Sequence, residues 1–99
     1  MALMQISVIP IGTPTPSIGN YIAEVVKVLD REGARYELTD MGTIIEAGTD
    51  ELFTLASRLH EVPFTKGIQR VITIIEIDDR RDKKVGMGDK VRSVMARIK

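Results

Sequence analysis

The chain has 99 residues, 43% of them hydrophobic, with 14 basic and 14 acidic side chains, one histidine and no cysteine. That length bounds it to a single domain, residues 1–99, with one modest core. Balanced charge removes the electrostatic basis for binding nucleic acid or an anionic membrane, and the absence of cysteine excludes a disulfide framework, a thiolate nucleophile and any zinc site built on sulfur.

A cysteine-free composition fits a reducing compartment, so the cytoplasm is the expected location. The start, "MALMQISVIPIGTP", has no basic leader and is interrupted by Gln5, Ser7, Pro10 and Pro14. It therefore reads neither as a signal peptide nor as a membrane span of ~20 apolar residues. Its branched apolar run predicts a first strand over Leu3 to Ile9, closed by Pro10 and Gly12. After the proline-fixed loop "GTPTP", Ser17 is placed to cap a helix in which Ile18, Tyr21, Ile22, Val25 and Leu29 recur at helical spacing, and Gly33 ends it. "ARYELTD" and "GTIIEAG" form a hairpin signal with its turn near Met41 and Gly42. From Thr49, acids in the first turn (Asp50, Glu51) precede the stripe Leu52, Leu55, Ala56, Leu59 and Val62, which Pro63 and Gly67 stop.

"QRVITIIEID" is the strongest strand signal, and the charge run "DDRRDKK" after it reads as a solvated loop. Met87, Val91, Val94, Met95 and Ile98 share one face of a closing helix, away from Lys90, Arg92 and Arg97. The order strand, helix, strand, strand, helix, strand matches a ferredoxin-like α+β sandwich, βαββαβ, with a four-stranded antiparallel sheet and an added C-terminal helix. In the usual strand order 4-1-3-2 both long helices cover one sheet face and leave the other bare. Strand four is apolar at successive positions, Val71, Ile72, Ile74, Ile75 and Ile77, where a sheet with one wet face should alternate. A partner is expected on that second face, the simplest being another copy of the chain. The competing expectation is that the C-terminal helix folds over it.

Side chains alternate along strands. If Met4, Ile6 and Val8 face the helices, Gln5 and Ser7 project from the bare face, joined by Ile44 and Glu46 of the neighbouring strand, with Thr43, Ile45 and Ala47 turned inward. An acid on a strand ordinarily faces water. Covered by a second subunit, an ionised Glu46 would need donors or a cation, because desolvating it unpaired costs several kcal/mol.

"QISVIPIGT", "ELTDMGTIIEAG" and "GIQRVITIIEIDDRRDK" together resemble the YkoF-like small thiamine-binding proteins, formerly a domain of unknown function. The resemblance covers nearly the whole chain and is carried by Ser7 and Pro10, the hairpin residues Met41, Gly42, Thr43 and Glu46, and the passage from "QRV" to "IDDRRDK". Ala47 departs from the glycine usual in that family. The resemblance implies a ferredoxin-like subunit, assembly into homodimers that pair into homotetramers, and non-catalytic binding of thiamine or its hydroxymethylpyrimidine part as carrier, buffer or sensor, with no cofactor required. A compatible chemistry follows from the residues. Glu46 could accept an aminopyrimidine amine, hydroxyls of Ser7 and Thr43 and the amide of Gln5 could complete the pattern, and the soft Met41 suits a cationic thiazolium face. The alternative is an oligomerisation or regulatory module for another small metabolite.

Other signals carry less. His60 near a helix end reads as a favourable cation on the carbonyl dipoles. Asp78, Asp79 and Asp82 could loosely hold a hard cation, but transition-metal ligands are lacking. "IGTPTPSIGN" precedes a helix without the phosphate-loop pattern, and its prolines remove donors. No nucleophile and base stand at a recognisable spacing, so an enzyme is not expected. The strands also lack the stacking aromatics of an RNA-binding sheet.

Overall fold

A computed structural model of the chain describes residues 1–98. Its elements are β1 (Ala2–Ile11), α1 (Gly19–Arg31), β2 (Arg35–Thr39), β3 (Gly42–Ala47), α2 (Thr49–Glu61), a 3-10 turn (Pro63–Lys66), β4 (Arg70–Asp78) and α3 (Asp89–Arg97). The four strands form one antiparallel sheet in the order β2-β3-β1-β4, the arrangement expected of the ferredoxin-like sandwich.

Alternation decides the two faces. On β1 Ala2, Met4, Ile6 and Val8 are buried, and on β3 Thr43, Ile45 and Ala47, so these residues line the helix side. α1 contributes Val25 and Leu29 to that layer, and α2 contributes Leu52, Leu55, Ala56 and Leu59, extended by Val62 at its C-cap. The inward stripe of α2 is the one its spacing predicts. Gln5, Ser7, Ile44 and Glu46 project from the opposite face, where Ile72 and Ile74 of β4 are 41% and 57% exposed.

The competing expectation for that face holds only at one end. The segment leading into α3 reaches the open face at Glu46 and buries Met87, whereas α3 itself buries no residue and leaves Val91, Val94, Met95 and Ile98 exposed.

Three local readings are corrected. Ser17 does not cap α1: the helix begins at Gly19 with Ile18 at the N-cap and no side-chain cap. The loop before it is occupied with itself, Thr15 Oγ1 donating to the Ser17 carbonyl at 3.3 Å. β1 does not stop at Ile9 but continues through Pro10 to Ile11. The hairpin turn falls on Asp40 and Met41, both at negative φ, whereas the turns best matched to strand twist need positive φ. Thr39 compensates: its Oγ1 donates to the Gly42 carbonyl at 2.7 Å and accepts the Met41 amide at 3.3 Å.

His60 does stand at the end of α2, half-buried, with Nδ1 2.6 Å from Thr73 Oγ1 and its ring edge-on to Phe64. It ties α2 to β4 rather than facing only water.

Leu59 is fully buried between helix and sheet. Leu59→Ala is expected to cost about 3 kcal/mol through lost transfer energy and an unfilled cavity, read as a lower urea midpoint with an unchanged slope.

Candidate functional site

The residues singled out in the sequence divide between the two ends of the β1–β3 seam. At the hairpin end, β1 outruns its neighbour. Pairing with β3 stops at Ile6↔Thr43, whereas pairing with β4 continues from Leu3↔Asp78 to Ile11↔Arg70. Proline is tolerated within a strand only where its nitrogen faces an unpaired side. Pro10 therefore turns its nitrogen away from β4, and the two-residue repeat turns the N–H and C=O of Val8 the same way, toward the space beyond β3.

That space is a groove of about 870 Å³ between β1, the hairpin tip and the first half of α1. Ile6, Val8, Ile18, Ile22, Leu38 and Met41 give it apolar walls. Ser7, Met41 and Thr43 of the predicted set come together here. Ser7 Oγ donates to the Met41 carbonyl at 3.1 Å, which leaves its lone pairs free to accept. This contact depends on Gly42, where an added Cβ would lie 3.0 Å from Ser7 Oγ and 3.2 Å from the Ile6 carbonyl. Thr43 enters from the helix side and Met41 stands largely exposed at the mouth. Gln5 is exposed on the open face and does not line the groove.

Glu46 lies at the other end, four residues along β3 and so about 14 Å from Gly42. Its side chain is only 10% exposed. Oε1 accepts the Met87 amide at 2.6 Å, and Oε2 pairs with Arg35 Nη1 at 3.1 Å, Arg35 standing directly across the hairpin. Both oxygens are thus engaged within the chain. Gly86 permits the approach: a Cβ there would sit 2.7 Å from Oε1. Around this point a second depression of about 750 Å³ is rimmed by Arg35, Arg80, Arg81, Lys83 and Lys84. Arg80 is paired with Asp82 and Arg81 with Asp79, whose carboxyl the Arg81 guanidinium holds below its ordinary range. Among the described residues no cluster of three or more His, Cys, Asp or Glu converges on a metal position, and Asp78, Asp79 and Asp82 do not gather into one.

Sequence reasoning missed Arg35 as the partner of Glu46, the unpaired backbone edge at Val8, and the presence of the turn residue Asp40 among the residues that line the groove. The first was out of reach of the sequence, because the register that sets Arg35 opposite Glu46 follows from a turn at Asp40 and Met41 rather than at Met41 and Gly42. The second was signalled by Pro10 inside an otherwise continuous strand. Asp40 reads in sequence only as a turn residue.

The family model described as thiamine-binding protein matches residues 4–95. The UPF0045 protein YqgV of Bacillus subtilis is 48% identical over 98 residues, spanning 95% of this chain and 94% of that protein. Among solved structures, a hypothetical protein from Methanocaldococcus jannaschii superposes with a TM-score of 0.84 at 24% identity, covering 95% of each chain. A candidate thiamine biosynthesis/salvage protein from Thermotoga maritima superposes with a TM-score of 0.76 at 17% identity, covering 94% of this chain and 97% of that one. At these identities the two structures establish the shared fold.

The engagement of Glu46 with Met87 sets a test. A charge-assisted hydrogen bond contributes about 1.5–3 kcal/mol, so Glu46→Ala should destabilise by roughly that amount, and Glu46→Gln, which keeps an acceptor oxygen, by less. Both should speed hydrogen exchange at the Met87 amide. Gly86→Ala should do the same by displacing the carboxylate. Unchanged exchange in all three would show that this contact does not hold the C-terminal segment.

Proposed function

The chain belongs to the thiamine-binding protein family, and on that footing we propose that it binds thiamine or a related hydroxymethylpyrimidine, without catalysis, in the groove between α1 and the tip of the β2–β3 hairpin. The observation that carries this reading is the early end of β1–β3 pairing. It leaves the N–H and C=O of Val8 facing an apolar space beside the Ser7 hydroxyl. An aminopyrimidine has a ring face that is relieved by apolar walls and an edge carrying both a donor amine and acceptor nitrogens. A backbone donor–acceptor pair is complementary to that edge, as a neighbouring strand would be. Ser7 and Thr43 supply further hydroxyls.

Of the residues expected from sequence, this reading keeps Ser7, Met41 and Thr43 as ligand contacts, leaves out Gln5 and Glu46, and adds the backbone of Val8. Glu46 becomes a positioning residue for the C-terminal segment. Such a binder fits a carrier, buffer or sensor in the cytoplasm.

The chain also carries more surface than a monomer of its mass should. For 11.0 kDa the expected accessible area is about 5,600 Å², against 6,921 Å² found. Its radius of gyration is 14.9 Å, where about 13 Å is usual for this length. The excess of about 1,300 Å² exceeds one partner's share, about 800 Å², of an ordinary interface. Together with exposed Ile72, Ile74 and the apolar stripe of α3, it supports a homodimer formed over the open face, with a second contact available for a tetramer.

Calorimetric titration tests the ligand. Thiamine or hydroxymethylpyrimidine should bind and raise the unfolding temperature. Ser7→Ala should weaken binding about five- to tenfold, matching one neutral hydrogen bond, and Ile22→Asp should remove it. No heat and no thermal shift at millimolar ligand would refute the reading. Light scattering tests the assembly separately: a multimer is expected, with Ile74→Glu shifted toward monomer.

A further inference from the structure

We propose that the groove selects a cationic, unphosphorylated ligand over its phosphate esters, and that Asp40 is the residue that sets this preference. The inference rests on the pyrimidine reading above and specifies the form of the ligand.

Among the described residues, Asp40 is the only ionisable side chain that lines the groove. It stands exposed on the two-residue turn at the hairpin tip and forms no ion pair among the described residues. Its charge is therefore not cancelled within the chain. The opposing field comes from the uncapped first turn of α1, which also borders the groove through Ile18 and Gly19. A helix N-terminus carries the equivalent of roughly half a positive charge, so one full carboxylate outweighs it and the mouth stays negative.

Among the described residues no lysine or arginine lines this groove, while five of them rim the depression at the far end of the sheet. A phosphate ester bound by its pyrimidine would bring its negative groups toward apolar walls and a carboxylate, with no cation to repay their lost hydration. A thiazolium ring in the same position meets the carboxylate and the soft sulfur of Met41. Because Asp40 is exposed, water screens the attraction. Exposed ion pairs are worth up to about 1 kcal/mol, a factor of about five in affinity.

The experiment is calorimetry on the full chain with three probes: neutral hydroxymethylpyrimidine, thiamine and thiamine monophosphate, each at low salt and in 0.5 M sodium chloride. At low salt thiamine should bind tightest, and the monophosphate at least about tenfold more weakly than thiamine. Salt should compress both ratios. Asp40→Asn, which suits the same turn, should cut the thiamine-to-pyrimidine affinity ratio about fivefold, and Asp40→Glu should restore it. Thermal unfolding of each variant verifies that it is folded. A ratio unmoved by Asp40→Asn while the pyrimidine still binds, or a monophosphate as tight as thiamine, would overturn this inference and leave the pyrimidine reading standing. Failure of all three probes to bind would overturn both.

Discussion

The constraint on which the structure turns is the unequal length of the partners of β1. Backbone N–H and C=O groups must find partners wherever water is excluded. β1 meets that demand over nine residue pairs with β4 but over only five with β3. The difference leaves a stretch of central strand without a neighbour on one side. Pro10 shows that the chain tolerates this vacancy, since a proline there would break a ladder on that side. The hairpin is short because its turn comes early, at Asp40 and Met41, held by Thr39 and by the Ser7 bond to Met41. α1 then lies over the vacancy instead of closing it. An apolar hollow with exposed strand edge results from these lengths, and none of the residues that line it has a positive φ.

At the opposite end the same seam is closed by a different device. A carboxylate that is nine-tenths buried is costly unless its lone pairs are taken, and Glu46 is taken twice, by Arg35 and by the Met87 amide. This fixes where the chain returns to the sheet after the charged loop, and Met87 lies buried there while α3 buries no residue. α3 is amphipathic yet buries nothing in its own subunit, and toward the other end of the open sheet face Ile72 and Ile74 stay uncovered. These two unpartnered apolar surfaces add to the accessible area of a molecule measuring 46 × 32 × 21 Å.

The fold was legible because its periods are strong. The α2 stripe, the alternation of β1 and β3 and the order of elements each point to one arrangement, and the resemblance to the thiamine-binding proteins agrees with them. The faces of Gln5, Ser7, Ile44 and Glu46 were also legible, since alternation needs no register. What could not be read was pairing length. Whether β3 reaches Ser7 or stops at Ile6 depends on the turn, and a turn at Asp40–Met41 with negative φ has no strong sequence mark. For that reason alternation groups Glu46 with Ser7 on one face, although the two stand at opposite ends of the β1–β3 seam. The capping of α1 by Ser17 failed for a related reason: the two prolines and threonine bonds of the loop set the chain direction before a cap could act.

Ser7 links the two halves of the molecule. Its side chain leaves β1 on the open face, yet it borders a groove whose other walls, Val8, Ile22 and Thr43, belong to the helix side. The groove therefore wraps around the end of β3 and passes from one face of the sheet to the other. A second chain laid across Ile72 and Ile74 would approach the same face of β1, because Ser7 pairs directly with Ile74 and Ile9 with Ile72. Covering that face would exclude water from the Ser7 end of the groove, and lower polarity strengthens every hydrogen bond made there. Under the proposed reading, occupancy of the groove and association of the chains would draw on one pair of adjacent strands. By linkage, whatever free energy association adds to ligand binding, ligand binding must add to association.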